Sequence, residues 1–517
     1  MTATSTITQD STHVKEGLVA SFGALIGPLL DGPLLTGSVA ERRVWQVILA
    51  VGRRVLEVML SRACLAATLQ AAPSSEPPRF RLDGSYTIQQ TTTLGVIRVP
   101  LFAYFDAGGR VRAPARAAVF PYHGRCRSSE LALEWEARLG SLLPFQQAEE
   151  AMRFFTHDAA PVEDTTIARH QYAIGRLLDR RWTFRAPDTI RELLTDRATR
   201  HRNTGRPLLY ASTDAHALRR YVDDSTTAAW KMINGVRLWC IDRQSGGVIH
   251  LGGDFTWGDC TDIGALFASL RKEGFLPVDD VLADGQRAQV VLITDGAPWI
   301  RTHVVPALPA DAITILDWFH AAEHIAACAA ERFGTGSRAA AAWTRRICTD
   351  LLGRPYKSEP TKTPKLRAGH TKRKRAAHSV GQAIDVQPLD IQQSPNLHGA
   401  GEHLARQLID EPAEPGHDIA VKALLGFVSN NADRMDYPAY QLAGIQIGSG
   451  AMESLHRTAS QMRCKIPGAR WLPDSAVATI RMRLLTLVER WDDFWRSPGL
   501  TSNLCQAFSP EITMASA

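Results

Sequence analysis

The sequence predicts an α/β chain: a mixed-sheet domain carrying a helical insertion, preceded by a mainly helical region. Three observations lead there. From Pro207 onward, short apolar strands alternate with amphipathic helical stretches. Upstream, apolar residues recur at three- and four-residue spacing over residues 39–69 and again over 128–182. Residues 334–430 then break the strand–helix order with an Ala-rich helix, a basic Pro/Lys stretch and a Gln/Pro-rich segment. With 517 residues, 45% hydrophobic and 22% charged, the chain is long enough for several domains with buried cores.

Residues 1–78 form an N-terminal helical region. It is polar at first, then helical through "VAERRVWQVILAVGRRVLEVMLSRACLAATL", and closes on the linker-like "AAPSSEPP". Residues 79–127 are a small β-containing segment, with alternation in "GVIRVPLFAYFDAGGRVR" around Ala107-Gly108-Gly109. Residues 128–205 hold two short helices, broken at Asp158–Pro161, the second opened by Asp164 or Thr165. Such a pair suits a helix-turn-helix whose second helix enters a DNA major groove. Thr165, Thr166, Arg169 and His170 would then face DNA. An ordinary helical hairpin has the same pattern.

Residues 206–333 are the first part of the sheet domain. "PLLYASTD" is a strand ending in Asp214. "VRLWCID" and "VIHLGGDF", joined by Arg243–Gly247, make a hairpin. "CTDIGALFASLRKEGF" is an amphipathic helix started by Thr261 or Asp262. "QVVLITD" and "AITILDWFH" are further strands, and "AAEHIAACAAERF" is a helix. Hairpin-linked strands, then helix–strand–helix–strand, is the order of a ribonuclease-H-like sheet. Residues 334–430 are its helical and basic insertion, residues 431–500 its second part with a long helical region containing Glu453, and residues 501–517 a tail.

Net charge is +6, an excess that permits a polyanionic partner without requiring one. Its distribution says more. Residues 354–378 hold nine Lys/Arg against Glu359 alone, including Lys372, Arg373, Lys374 and Arg375. This stretch is either a phosphate-tracking arm or a solvated linker. The eight cysteines include no C-x-x-C pair, so no zinc is expected and the thiols fit a reducing cytoplasm. The apolar run "LVASFGALIGPLL" is too short to cross a bilayer and lacks a basic leader, so neither membrane anchor nor signal peptide is expected.

Asp214 and Asp295, each at an apolar strand's carboxyl end, would converge on one spot, since open sheets place chemistry beyond those ends. Asp295-Gly296 is also a turn dipeptide, and reversing the chain is its plainer use. Two neighbouring carboxylates repel, and a hard divalent cation such as Mg²⁺ or Mn²⁺ removes that penalty. Glu453, in the first turns of a helix that Ser449 can cap, is the candidate third acid. An acid at a helix start is favoured by the dipole in any case. Here it keeps company with Arg457, Arg463, Lys465 and Arg470, side chains suited to phosphates. Trp299, Trp318 and Trp471 read as core residues.

At these residues the chain resembles a known family. "ITDGAPWI", "ILDWFHAAEHI", "NNADRMDYPAYQLAGIQIGSGAMES" and "GARW…IRMRLLTLVERWDDFW" resemble the ISKra-type insertion-sequence transposases over roughly residues 110–496. Those are bacterial DDE enzymes with a ribonuclease-H-like catalytic domain. The resemblance implies that Asp214, Asp295 and Glu453 are the metal-binding triad. It also implies that Asp317 and His320, in "DWFH", form a supporting D-x-x-H element; a core histidine at a strand–helix corner is the other reading of His320. Relatives often show Asp-Gly where this chain has Asp214-Ala215, which leaves Asp223, Asp224 and Asp254 as fallbacks for the first acid. Many also carry a Cys-rich module where "FAYFDAGGRVRAPAR" stands, without cysteine.

The resemblance implies two-ion phosphodiester cleavage at element ends, then attack of the freed 3′-hydroxyl on target DNA. Asp214 and Asp295 would bridge the ions. A homodimer or larger assembly on double-stranded DNA is implied as well. Two rivals remain at this level: a transposase-derived DNA-binding protein or repressor without turnover, and a ribonuclease-H-like nuclease that cuts without joining.

Overall fold

The main sheet forms where the apolar runs lie, because strands buried on both faces need an apolar side chain at nearly every position. The computed structural model describes residues 19–20, 22–24, 26–27, 37–71, 80–81, 87–106, 108–221, 229–354, 356, 399–411 and 418–508. Lys372, Arg373, Lys374 and Arg375, and the fallback acids Asp223 and Asp224, lie outside them. The chain divides into two compact units: residues 1–179, 474–483 and 491–517, and residues 180–473 and 484–490. No described helix is long and apolar enough to cross a membrane.

In the first unit, helix Gly37–Ala71 packs on the antiparallel hairpin Thr87–Thr92/Gly95–Pro100. Cys64, Ile88, Ile97, Val99 and Phe120 close that core. Three further helices, Glu130–Leu142, Phe145–Phe155 and Asp164–Leu177, enclose Ala148, Met152, Val162 and Ile167. The break between the last two comes at His157 and Asp158, whose φ values of 48° and 59° end the helix.

The helix that sequence reading turned toward DNA presents Thr165 and Arg169 to solvent and Thr166 half-exposed. His170 faces inward instead: it is buried, with Nδ1 2.6 Å from Glu136 Oε2, while Ser128 Oγ donates to Glu136 Oε1 at 2.6 Å. Helical periodicity placed His170 one step from Arg169, and only the packing of Glu130–Leu142 shows which face is covered. Glu136→Leu strands a buried hydroxyl and a buried imidazole. Such a loss is expected to cost about 2–4 kcal/mol in urea unfolding, and a cost under about 0.5 kcal/mol would contradict it.

The second unit is built on a mixed five-stranded sheet. Its strands are β1 (Leu208–Arg220), β2 (Ala229–Ile241), β3 (Val248–Thr256), β4 (Gln289–Thr294) and β5 (Ile313–Leu316). The spatial order is β5-β4-β1-β2-β3, with β1–β2–β3 antiparallel and β1–β4–β5 parallel. That mixed α/β order is compatible with a ribonuclease-H-like fold.

Two strand readings need correction. β1 does not end at Asp214; it runs on to Arg220, because its antiparallel partner β2 continues where its parallel partner β4 stops. β5 ends at Leu316, and Trp318-Phe319-His320 open helix α2 (Trp318–Phe333), capped by Asp317. Before it, helix α1 (Cys260–Lys272) starts with a capping box. Asp259 accepts from the amides of Thr261 and Asp262, and Asp262 returns a bond to the Asp259 amide.

Helices α3 (Arg338–Leu352), α4 (Ala400–Ile409) and α5 (Asp418–Asn431) cover one sheet face through Trp343, Ile347, Leu404, Leu424 and Val428. Trp318 and Trp471 are buried, and Trp299 is half-buried. All eight cysteines are free of disulfides.

Candidate active site

Three aspartates stand at one level where the parallel part of the sheet ends. The β1–β4 register closes on Ala211 opposite Leu292; three residues further along both chains stand Asp214 and Asp295. The β4–β5 register closes on Thr294 opposite Leu316, so the next pair is Asp295 and Asp317. Neighbouring strands run about 4.8 Å apart, and the Asp317 amide still donates to Thr294 O at 2.7 Å.

Asp295 is half-buried and accepts from the Ala297 amide at 3.0 Å. Its turn needs glycine next. Gly296 has φ +85°, and a Cβ there would meet Leu316 Cδ1 at 2.5 Å. The turn reading of Asp295-Gly296 and the site reading are thus compatible, since one Oδ1 bond fixes the carboxylate that the turn presents.

Glu453 comes from helix α6 (Gly450–Leu455) and is exposed. Two buried groups seat that helix. Asp317 accepts from the Ser449 amide and from Ser449 Oγ, both at 2.9 Å, and Arg237 Nη1 donates to Ala451 O. Ser449 does not cap α6 with its side chain, as sequence reading expected; its hydroxyl is committed to Asp317. Partial loss of solvent around its carboxyl pushes Glu453 up, and Asp317 and then Glu323 push it further.

Asp214 keeps 43% of its side-chain exposure, yet its carboxyl is raised to about 6. Loss of solvent is the largest cause, and the neighbouring charges of Asp295 and Glu453 add to it. The acids therefore sense one another, and His320 partly offsets them. A carboxyl whose folded value exceeds its unfolded one binds protons more readily when folded. Its stabilising effect is full at low pH and is lost as pH rises from about 4 through about 6. Asp214→Asn is expected to flatten that part of the pH–stability curve. In cation-free melts at pH 7.5 it should gain roughly 1 kcal/mol, discounted for exposure. An unchanged slope would contradict the coupling.

Behind Asp214 lies a histidine pair the sequence did not reveal. His456 Nδ1 is 3.7 Å from Asp214 Oδ2 and 3.2 Å from His216 Nδ1, and His216 Nε2 meets Ser460 Oγ at 2.9 Å. Burial drives His456 down to about 3 and His216 to about 4, so both rings are neutral near pH 7. Neutral rings leave the Asp214 charge uncompensated. Gly235, paired with Asp214 across the ladder, leaves room for His456; a Cβ there would meet its Nε2 at 2.8 Å. His456 opens a π-helical stretch, His456–Gln461, a widened turn common at functional sites.

Arg434, buried, donates to Gly296 O at 3.4 Å and to Asn431 Oδ1, and the Asp295 charge acts on it. The "NNADR" string was the only sequence signal for it.

Arg457 and Arg463 lie on the helical run that starts with Glu453's turn, which widens to π geometry over His456–Gln461 and closes at Cys464; Lys465 caps it and Arg470 follows. Arg457, Lys465 and Arg470 are exposed. Arg463 is buried, its guanidinium 5.2 Å over the Trp471 ring, so it braces the fold rather than facing a ligand. Asp254, the remaining described fallback, is buried within β3.

No family model and no curated protein sequence matches this chain. Among solved structures, it is similar to the "Drosophila P element transposase strand transfer complex". Identity is 12% and the TM-score 0.22, over 75% of this chain and 85% of that one. A TM-score that low does not establish a shared fold.

Among the described residues, no three His, Cys, Asp and Glu side chains form a ready-made ion cage. A hard divalent cation of the Mg²⁺ kind needs only one or two carboxylates and completes its shell with water and phosphate oxygens. Raised, mutually repelling carboxyls are what such an ion would relieve.

Proposed function

We propose that this protein is a DDE-type transposase of an insertion sequence. In this reading its ribonuclease-H-like unit cleaves DNA at element ends and transfers the 3′-hydroxyl strand to target DNA. The observation that carries it is the shared level of Asp214, Asp295 and Asp317 at the end of the parallel strands, with Asp317 bonded to the turn that starts Glu453's helix. Asp214 and Asp295 would hold two Mg²⁺ or Mn²⁺ ions, with Glu453 completing the set; bound there, the ions supply Lewis acidity for phosphodiester cleavage. Asp317 is a positioning residue, holding Ser449 so that Glu453 meets the rim. His320, half-exposed on α2 and acting electrostatically on Asp214, stands beside that rim. Exposed Arg457, Lys465 and Arg470 would engage phosphates. In the other unit, Thr165, Thr166 and Arg169 offer a polar helix face of the kind that contacts duplex DNA.

The direct assay incubates full-length protein and Mn²⁺ with labelled duplexes from the DNA flanking its coding sequence, plus an acceptor plasmid. Cutting followed by joining to the plasmid is expected. A cut without joining would leave a nuclease, and binding without a cut would leave a DNA-binding protein.

A further inference from the structure

Beyond the acids, β1 and β2 extend as a two-stranded arm of the second unit. Arg219 and Trp230 are direct cross-strand partners on it, which puts their side chains on one face. The Arg219 guanidinium lies 5.9 Å and the Lys465 ammonium 6.0 Å from the Trp230 ring centroid. Even so, Trp230 is 57% exposed, and Met232, two residues on along the same face, is 51% exposed. Tryptophan is highly buried on average; this one keeps more than half its surface in water.

The arm is held in place. Trp471, buried, donates its amide to Arg219 O at 3.0 Å and accepts from the Tyr221 amide at 2.9 Å. Arg219, Arg220, Lys231, Lys465 and Arg470 have no carboxylate partner among the described residues. An anchored flat ring flanked by unpaired cations is matched by an aromatic base attached to a phosphate. Each nucleotide of a strand repeats that pairing of flat ring and anion.

We propose that Trp230, flanked by Arg219 and Lys465, is a stacking platform for an unpaired nucleotide of the DNA strand held by this unit. The proposal rests on the transposase reading and deepens it by assigning a strand feature to a place. Arg219 lies five residues beyond Asp214 on β1, roughly 17 Å along the strand. That span matches about five phosphate steps of duplex. Trp230 therefore takes a base flanking the cleavage position rather than the reacting nucleotide. Alternation along β1 puts Arg219 and Asp214 on opposite faces of the ribbon, so the strand bends around the arm's edge to reach both.

The experiment compares two fluorescein-labelled probes, a single-stranded oligonucleotide and a fully paired duplex, by polarisation with the full-length protein. Stacking on an aromatic ring gives Trp230→Ala an expected loss of about tenfold on the single strand and less than threefold on the duplex. Trp230→Phe, which keeps a ring, is expected to recover most of that loss. Arg219→Ala and Lys465→Ala should each weaken binding and flatten its salt dependence. Equal affinity of wild type and Trp230→Ala for the single strand would overturn the platform, as would equal losses on both probes. If wild type cuts and joins DNA while Trp230→Ala binds unaltered, only the platform fails. If wild type binds neither probe, the functional reading fails and the platform with it.

Discussion

Asp295→Asn is expected to lower strand cleavage by about 10³-fold while leaving the protein folded and able to bind duplex DNA. The change keeps the shape of the side chain and its acceptor oxygen toward the Ala297 amide, so the turn over Gly296 survives. What it removes is a negative charge at the centre of the row Asp214–Asp295–Asp317. A carboxylate that holds a cation against developing charge on phosphate is worth several kcal/mol in the transition state. The substitution also relieves Asp214 of one of the charges that raise its carboxyl. The variant should therefore melt no lower than wild type. Quantifying labelled product, alongside a melting curve and a duplex-binding isotherm, separates lost chemistry from lost fold. Cleavage within tenfold of wild type would take Asp295 out of the catalytic role.

Asp317→Ala is the second large effect, and it arises differently. Asp317 is buried and accepts from three donors: the Ser449 amide, Ser449 Oγ and the Phe319 amide that starts α2. Removing it orphans all three and frees the turn that leads into Glu453. Stability is expected to fall by about 2–4 kcal/mol, and cleavage of the folded fraction by about 10²-fold, because a displacement near 1 Å carries that cost. Ser449→Ala, which loses only the hydroxyl bond, should lose under tenfold in rate. If both variants bind DNA as tightly as wild type while rate falls in that order, Asp317 acts by placing Glu453. Equal rates in Asp317→Ala and wild type would deny the positioning role.

The sheet was legible because its apolar runs are short, bounded by turn residues, and joined by a Ser-Gly-Gly hairpin; β1 to β5 all lie where those runs were read. Asp214 and Asp295 were legible for the same reason, as acids interrupting apolar text. Strand ends were less so. Nothing in "STDAHALRR" says that β2 would keep pairing after β4 had stopped, so β1 was read six residues short. The Ser449–Asp317 clamp joins residues 132 positions apart and the His216–His456 pair residues 240 apart. Pairings of that separation leave no local pattern. His170 and Arg463 were misplaced for a related reason: spacing says which residues share a face, but only packing says whether the face is covered. The arm bearing Trp230 went unread because its strand begins at Ala229, seven residues before the apolar run that marked it.

The most direct test of convergence is the anomalous-difference signal of Mn²⁺ in crystals of the full-length protein grown with the metal. A peak between Asp214 and Asp295, with carboxylate oxygens of both at about 2–2.3 Å and Glu453 completing the shell, is expected. A Mn²⁺ site elsewhere, or none at this rim with Glu453 turned away from it, would contradict the proposed triad.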